Sequence, residues 1–271
     1  MPELPEVETV KEVLKKEILN KTIKDVLVNY EKMIENINVT DFINNLKNQT
    51  FIDIKRKGKW LIFELTDYYL LSHLRMEGKY YIKDINDEIT KHQHVIFTFT
   101  DNKQLRYNDT RKFGRMYLLS KDDIYNKRPL SDVGKEPWDL NIDYLKDKFK
   151  NKKLPIKTVL LDQSIIAGLG NIYCNEVLFL SKINPYKQAS KLDDKELENI
   201  INSSKKTLEK AIKLGGTTIK SYTSSEGVHG RFQNELYVHM QTNCKECGNK
   251  LIKEKIGGRS TYYCNECQKM K

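Results

Sequence analysis

The chain predicts an α+β fold: an N-terminal β-sandwich with a flanking helix, a hinge, a C-terminal helical domain and a small terminal β-hairpin module. Three observations carry this reading. Between residues 23 and 120, eight short runs rich in β-branched and aromatic residues are separated by polar turns, the pattern of a two-sheet antiparallel domain. Beyond residue 142 the apolar spacing lengthens to the helical period, most plainly over Asp193–Leu214. The last 28 residues hold two C-x-x-C pairs. A length of 271 residues leaves room for two cores of ordinary size.

Taken in order, Val7, Val10, Val13, Leu14 and Ile18 recur at helical spacing, so residues 5–19 are predicted as an amphipathic helix ended by Asn20-Lys21. The predicted strands are Ile23–Tyr30, Phe51–Lys57, Lys59–Thr66, Tyr68–Leu74, Tyr80–Ile82, His94–Thr100, Leu105–Asn108 and Arg115–Ser120. Periodicity then lapses around Pro129, Gly134 and Pro137, which marks a linker. In the long helix Leu197, Ile200, Ile201, Leu208 and Ile212 share one face, Asp193 is the N-cap, and Gly215-Gly216 stops it. The expected domains are 1–125, a linker at 126–142, a helical domain at 143–243 and the cysteine module at 244–271, with a groove between the two halves as the natural site.

Lys and Arg outnumber Asp and Glu by 47 to 37, a formal charge of +10. That balance favours a polyanionic partner, a nucleic acid or an acidic membrane surface. No segment approaches the roughly 18–20 apolar residues of a bilayer span, and the N-terminus lacks a basic n-region with an apolar core. The expected location is cytoplasmic. Cys174 reads as a small semi-buried side chain, apart from the other four cysteines.

Those four are Cys244, Cys247, Cys264 and Cys267, with 16 residues between the pairs. Each pair can form a knuckle presenting two thiolates, and two knuckles complete a closed tetrahedron around one zinc ion. With all four positions filled by protein, the zinc is structural. Leu251–Lys255 and Ser260–Tyr263 read as two strands joined through Gly257-Gly258-Arg259. Such a finger can reach a DNA groove or a phosphate, or it can simply staple a small module.

The opening Met1-Pro2-Glu3-Leu4-Pro5-Glu6-Val7-Glu8 admits two readings. In one, Pro-x-x-Pro is an extended lead-in to the helix, with Glu6 and Glu8 favouring its first turn. In the other, removal of Met1 exposes Pro2 as a secondary amine beside the Glu3 carboxylate. Such an amine is freer than lysine at neutral pH, because an α-amino group titrates at about 8. Its adduct with an aldehyde-like carbon is an iminium, already charged as formed.

The N-terminal decad resembles the bacterial formamidopyrimidine-DNA glycosylase family. So do Lys59, His73-Leu74-Arg75-Met76-Glu77-Gly78, Lys91-His92-Gln93-His94 and Asp109-Thr110-Arg111-Lys112-Phe113-Gly114. Gly168-Leu169-Gly170-Asn171-Ile172-Tyr173, Gly215-Gly216-Thr217-Thr218 and the four cysteines continue the match in family order along the whole chain. The resemblance implies a helix–two-turn–helix in the helical domain and a base-excision glycosylase and abasic-site lyase that acts on oxidised purines in double-stranded DNA as a monomer. It implies Pro2 as nucleophile, Glu3 as the proton-handling carboxylate and Lys59 beside them. Glu6 would orient the N-terminus.

Further roles follow from the same resemblance. Met76, Arg111 and Phe113 would fill the hole left by the extruded base, although Met76 and Phe113 on adjacent strands could equally be ordinary core residues. His92, Asn171, Lys220 and Arg259 would grip phosphates, with the 217–227 loop capping the lesion. His92 and His94 on one strand face lack the carboxylate or cysteine a metal site would need. Thr110, Arg75, Glu77 and Arg231 depart from the family pattern. The competing readings are an endonuclease VIII-type enzyme for oxidised pyrimidines and a non-catalytic protein that binds lesion DNA.

Overall fold

The computed structural model describes residues 1–122, 124–217 and 230–270, and it divides into two compact units. The first spans Met1–Ser131 and the second Asp132–Thr217 together with the described residues from Arg231 onward. Helix α1, Leu4–Ile18, opens the first unit and buries Leu4, Val7, Val10, Leu14 and Ile18. Strands β1 (Ile23–Val28), β2 (Phe51–Lys57), β3 (Trp60–Leu65), β4 (Tyr68–His73), β5 (Lys79–Asp84), β6 (Gln93–Phe99), β7 (Lys103–Asn108) and β8 (Arg115–Ser120) follow. They form two antiparallel four-stranded sheets, ordered β1-β6-β7-β5 and β2-β3-β4-β8. This is the expected sandwich.

One helix was not legible. Between β1 and β2, α2 spans Val39–Leu46 and buries Phe42 and Leu46 one turn apart. Asn38 caps it by accepting the Asp41 N–H at 2.8 Å. A single turn-and-a-half of apolar signal is too short to register as a period, and burial against the sandwich supplies the stability that propensity does not.

Phe51 ties the two sheets together. It is fully buried, and its ring meets Phe63, Phe97 and Phe99 edge-on at centroid distances of 5.7, 6.5 and 5.9 Å. Phe51 and Phe63 belong to one sheet, Phe97 and Phe99 to the other.

In the second unit α3 (Ile142–Phe149), α4 (Ile156–Leu160), α5 (Asn171–Leu180) and α6 (Asp194–Lys213) pack as a helical domain, and β9 (Ile252–Ile256) pairs with β10 (Arg259–Tyr263). Asp193 is the N-cap of α6, in a reciprocal box with Glu196: each side chain accepts the other's backbone N–H, at 2.8 and 3.0 Å. Residues 126–142 are not bare chain; short 3-10 turns occupy Leu130–Asp132 and Pro137–Asp139, and Lys135 bridges to Ile166. Cys174 is fully buried in α5.

Phe51→Ala should lower unfolding free energy by about 3–5 kcal/mol, the usual cost of emptying a large aromatic site. Urea titration of the full chain measures it.

Candidate active site and nucleic-acid interface

Pro2 and Glu3 lie at the head of α1 and are both buried. Glu3 is the N-cap residue, and its backbone N–H donates to Glu6 Oε2 at 2.9 Å. Glu6 is itself 3% exposed, so the charge that fixes the helix start is shielded from solvent, where such a cap is strongest. Pro5 in the first turn needs no N–H partner.

One turn further along α1, Glu8 reaches the sheet. Arg56 Nε donates to Glu8 Oε2 at 2.7 Å, and Arg56 Nη1 donates to Gly58 O at 3.0 Å. Gly58-Lys59 is the two-residue connection of the β2–β3 hairpin, closed by the Lys57–Trp60 pair. Gly58 has φ +58°, the conformation a tight hairpin requires at its first central position. A continuous ion pair and hydrogen bond thus run from the helix that carries Pro2 and Glu3 to the turn that carries Lys59. Lys59 is 5% exposed.

Met76 and Phe113 are not core strand residues. Met76 is half-buried in the turn at 75–77, Arg111 is exposed, and Phe113 is 44% exposed. The Arg111 guanidinium lies over the Phe113 ring, 4.7 Å from its centroid. Their loop is organised by Asp109, which is fully buried and accepts the N–H groups of Arg111 at 3.0 Å, Phe113 at 2.9 Å and Gly114 at 2.8 Å. The backbone of Asp109 does further work: its N–H donates to His92 O at 3.0 Å, and its carbonyl oxygen lies 2.8 Å from His94 Nε2.

His92 precedes β6, whereas His94 is inside it and buried, so the two do not share a strand face as expected. The loop before β6 is held by Arg106, a fully buried guanidinium that donates to the carbonyl oxygens of Asp84, Asp87 and Glu88 and to the side chains of Gln93 and Gln104. Burial pulls its pKa down. His73, whose Nδ1 accepts the Arg75 N–H at 3.0 Å, is pushed down to about 3 by burial and then by the Arg75 and Lys59 charges. It is therefore a neutral imidazole at physiological pH.

In the second unit Asn171 is the first residue of α5, after Gly168 at φ +98° and Gly170 as N-cap. Its Nδ2 donates to Ser260 O at 2.9 Å, which ties the helix start to β10, while its buried Oδ1 has no partner among the described residues. Arg259 is exposed and opens β10, just after Gly257 and Gly258, both with positive φ. That is the hairpin turn in which two glycines relieve the Cβ penalty. Lys220 and all but the first residue of the 217–227 loop lie outside the described residues.

The sulfur atoms of Cys244, Cys247, Cys264 and Cys267 lie within 4.8 Å of one another. Cys244–Cys267 and Cys247–Cys264 approach to 3.8 and 3.5 Å, close to the roughly 3.8 Å edge of a tetrahedron with 2.3 Å zinc–sulfur bonds. The four fit one zinc ion with no open position. The module is anchored by Gln268, which donates to Ile183 O and accepts from Cys264 N, and by Asn184, which donates to Gln268 O.

Sequence profiles settle the family. Residues 1–116 match the formamidopyrimidine-DNA glycosylase N-terminal domain, 133–223 the formamidopyrimidine-DNA glycosylase H2TH domain, and 244–269 a zinc finger found in FPG and IleRS. The chain belongs to the formamidopyrimidine-DNA glycosylase family. Formamidopyrimidine-DNA glycosylases of Oceanobacillus iheyensis and Shouchella clausii are 46% and 47% identical to it, over 99% of this chain and 98% and 99% of theirs. The structure of Lactococcus lactis Fpg in complex with DNA containing N7-benzyl-Fapy-dG matches with a TM-score of 0.92 at 39% identity, over 99% of this chain and all of that one. The same enzyme bound to abasic-site DNA matches equally well, at 38% identity. Among the described residues no helix is long and apolar enough to cross a membrane.

Several residues that shape this glycosylase's site carried no individual signal in the sequence. Arg106, Lys157, Glu176 and His239 are all buried polar groups, and a lone polar residue does not announce its partners. Lys157 Nζ donates to Asn171 O at 3.1 Å and to Asn175 Oδ1 at 2.6 Å. Glu176 accepts three consecutive backbone N–H groups, from Tyr237, Val238 and His239. Burial raises its pKa against those bonds. Asn175 Nδ2 meets His239 Nδ1 at 2.7 Å, which makes that nitrogen an acceptor and leaves the imidazole proton on Nε2.

Burial first, then the Lys157 charge, hold His239 down to about 4. The unfolded chain takes up this proton near pH 6.5 while the folded chain refuses it until about pH 4. Stability is therefore lost as pH falls across that window and is unaffected above it. His239→Gln, which keeps an acceptor for Asn175, should flatten the decline by up to about 3 kcal/mol. Denaturant unfolding between pH 7 and pH 4 tests this, with His73 contributing the same sign of decline in both proteins.

Proposed function

We propose that the chain removes oxidised purines, 8-oxoguanine and formamidopyrimidines, from double-stranded DNA and then cleaves the strand at the abasic site. The observation that carries this is the Pro2-Glu3 pair, buried at the capped head of α1 in a chain alignable end to end with glycosylases of that name. Once Met1 is removed, the Pro2 nitrogen lone pair attacks C1′ of the damaged nucleotide. The C1′–N bond to the base breaks, and Glu3 delivers a proton to the opening sugar ring oxygen. The resulting iminium withdraws electrons from C2′, whose proton loss expels the 3′ phosphate; a second elimination expels the 5′ phosphate, and water then hydrolyses the iminium, breaking the C1′–N bond to free Pro2 and release the sugar remnant. The product is a one-nucleotide gap with phosphate on both sides.

An enzyme of this class must extrude its base and hold the vacancy open. Met76, Arg111 and Phe113 fill it: Phe113 wedges between bases, Met76 occupies irregular apolar space, and Arg111 hydrogen-bonds the orphaned base. The half-exposed ring of Phe113 and the exposed guanidinium beside it support this role. Lys59, His92, Asn171 and Arg259 position the duplex through phosphates. For Asn171 the second N–H of its amide and the head of α5 are the donors. Lys220 is assigned a phosphate contact by resemblance. Glu6 holds the N-terminus in place, zinc shapes the finger that carries Arg259, and one subunit suffices.

Borohydride treatment with duplex DNA holding one 8-oxoguanine opposite cytosine should trap a covalent adduct. Blocking the N-terminus with a retained extension should abolish it. An adduct only on thymine glycol duplex would move the chain to the pyrimidine branch, and none on any substrate would leave a lesion-binding protein. Glu3→Gln should bind the lesion duplex and release no base; normal turnover by that variant would sink the role of Glu3.

Cys244→Ser should reduce zinc from one ion per chain to none and weaken DNA binding by about tenfold, since the finger loses its staple. Unchanged affinity with zinc retained would contradict it. Metal analysis and a filter-binding titration give both readouts.

A further inference from the structure

The turn carrying Met76 and the loop carrying Arg111 and Phe113 both rest on one side chain. Tyr107, on β7, is fully buried, and its ring packs edge-on against Tyr80 at 5.1 Å. The phenol oxygen sits against Gly78 and Gly114. A Cβ at Gly78 would lie 2.1 Å from it, and one at Gly114 1.9 Å, both impossible contacts. Neither glycine has a positive φ, so what they provide is closeness of approach, not a special backbone conformation. Gly78 ends the Met76 turn, its N–H bonded to Leu74 O at 2.9 Å. Gly114 ends the other loop, its N–H bonded to Asp109 Oδ2 at 2.8 Å.

The two loops also meet at their exposed ends, where the Thr110 hydroxyl donates to the Glu77 carboxylate. The Tyr107 hydroxyl has no hydrogen-bond partner among the described residues. A buried, unpaired hydroxyl is a cost that phenylalanine would avoid at nearly the same volume, so stability alone does not account for the tyrosine.

We propose that Tyr107 is a positioning residue that makes the Met76 turn and the Arg111–Phe113 loop one rigid unit, setting the spacing at which the three side chains enter the duplex together. The proposal deepens the void-filling role assigned above and rests on it. A common stop means that one loop cannot be displaced without the other. On this view the unit matters where a stacked duplex must be held open. It matters little on a single strand, which has no opposite base and no stack to maintain.

The test uses Gly114→Ala, Tyr107→Phe and their combination in the full chain. Amide hydrogen exchange without DNA reads the coupling. Gly114→Ala should speed exchange about tenfold at Phe113 and also at Gly78, on the other loop. Adding Tyr107→Phe, which withdraws the clashing oxygen, should bring both partway back. Activity reads the function. Gly114→Ala should lower 8-oxoguanine excision from duplex by about tenfold or more, while cleavage of a preformed abasic site in single-stranded DNA stays within about twofold. Adding Tyr107→Phe should recover several-fold on duplex only.

Tyr107→Phe alone should unfold at no lower temperature than its parent, which keeps the test open even if Gly114→Ala folds poorly; it should still lower duplex excision selectively. Exchange changes confined to residues 109–114, equal loss on both substrates, or absence of rescue would each overturn the proposal. Failure of the parent protein to excise any base would instead overturn the functional reading, with the exchange data still deciding the coupling.

Discussion

Chain termini fray because few contacts oppose their conformational entropy, and chemistry at residue 2 is possible only where that tendency is defeated. Here the bond from the Glu3 N–H to the shielded Glu6 carboxylate does so. It satisfies a helix-start donor that would otherwise need water, and it holds Glu3 in extended conformation directly ahead of α1. Below it, Leu4, Val7, Val10 and Leu14 are almost wholly buried, so the helix is locked to the sandwich along its length. The Glu8–Arg56–Gly58 linkage then carries the same rigidity to the turn of Lys59. The proposed nucleophile is thus buried beside a capped and anchored helix start, although it stands near the end of the chain.

The loops of the first unit that carry the proposed DNA contacts obey a related logic. Loops ordinarily run over the surface and leave their amides to solvent. In this chain the end of β7 and the residue just past it place three anchors inside: Arg106 collects carbonyls of the 84–88 segment, Tyr107 supports two glycines, and Asp109 collects the amides of Arg111, Phe113 and Gly114. Burying Arg106 and Asp109 is costly unless nearly every donor and acceptor is matched, and the matches come from the loop backbones themselves. Disturbing either anchor therefore disturbs a loop that carries His92 or Arg111 and Phe113. In the proposed role, an ordered loop lets an exposed group such as Phe113 enter the duplex without a further ordering cost.

The second unit uses metal and buried polar groups for the same purpose. A module of this size has too little apolar surface to hold itself. Phe179 from α5 packs with Val238, Leu251, Cys244 and Cys264 beneath the sulfur cluster, and Asn171 ties the start of the same helix to β10. The two ends of α5 consequently position the finger. Lys157, Asn175 and His239 form a buried chain beside it whose fit depends on a neutral imidazole.

What could be read without coordinates was whatever repeats or has a characteristic spacing. Eight strand runs, the amphipathic helices, the Asp193 cap and the C-x-x-C pairs declare themselves because period and spacing are local properties, set by backbone geometry and ligand reach. The motifs also ordered Pro2, Glu3, Lys59, Met76, Arg111 and Phe113 along the chain. Tertiary structure alone decided that Met76 and Phe113 stand outside the core, that His92 lies off the strand of His94, and that α2 exists at all. It also decided which polar residues are buried and with whom. Arg106 finds its acceptors up to 22 residues away and Glu176 its donors more than 60 away, distances over which no periodicity carries information and only the folded chain can satisfy a hydrogen bond.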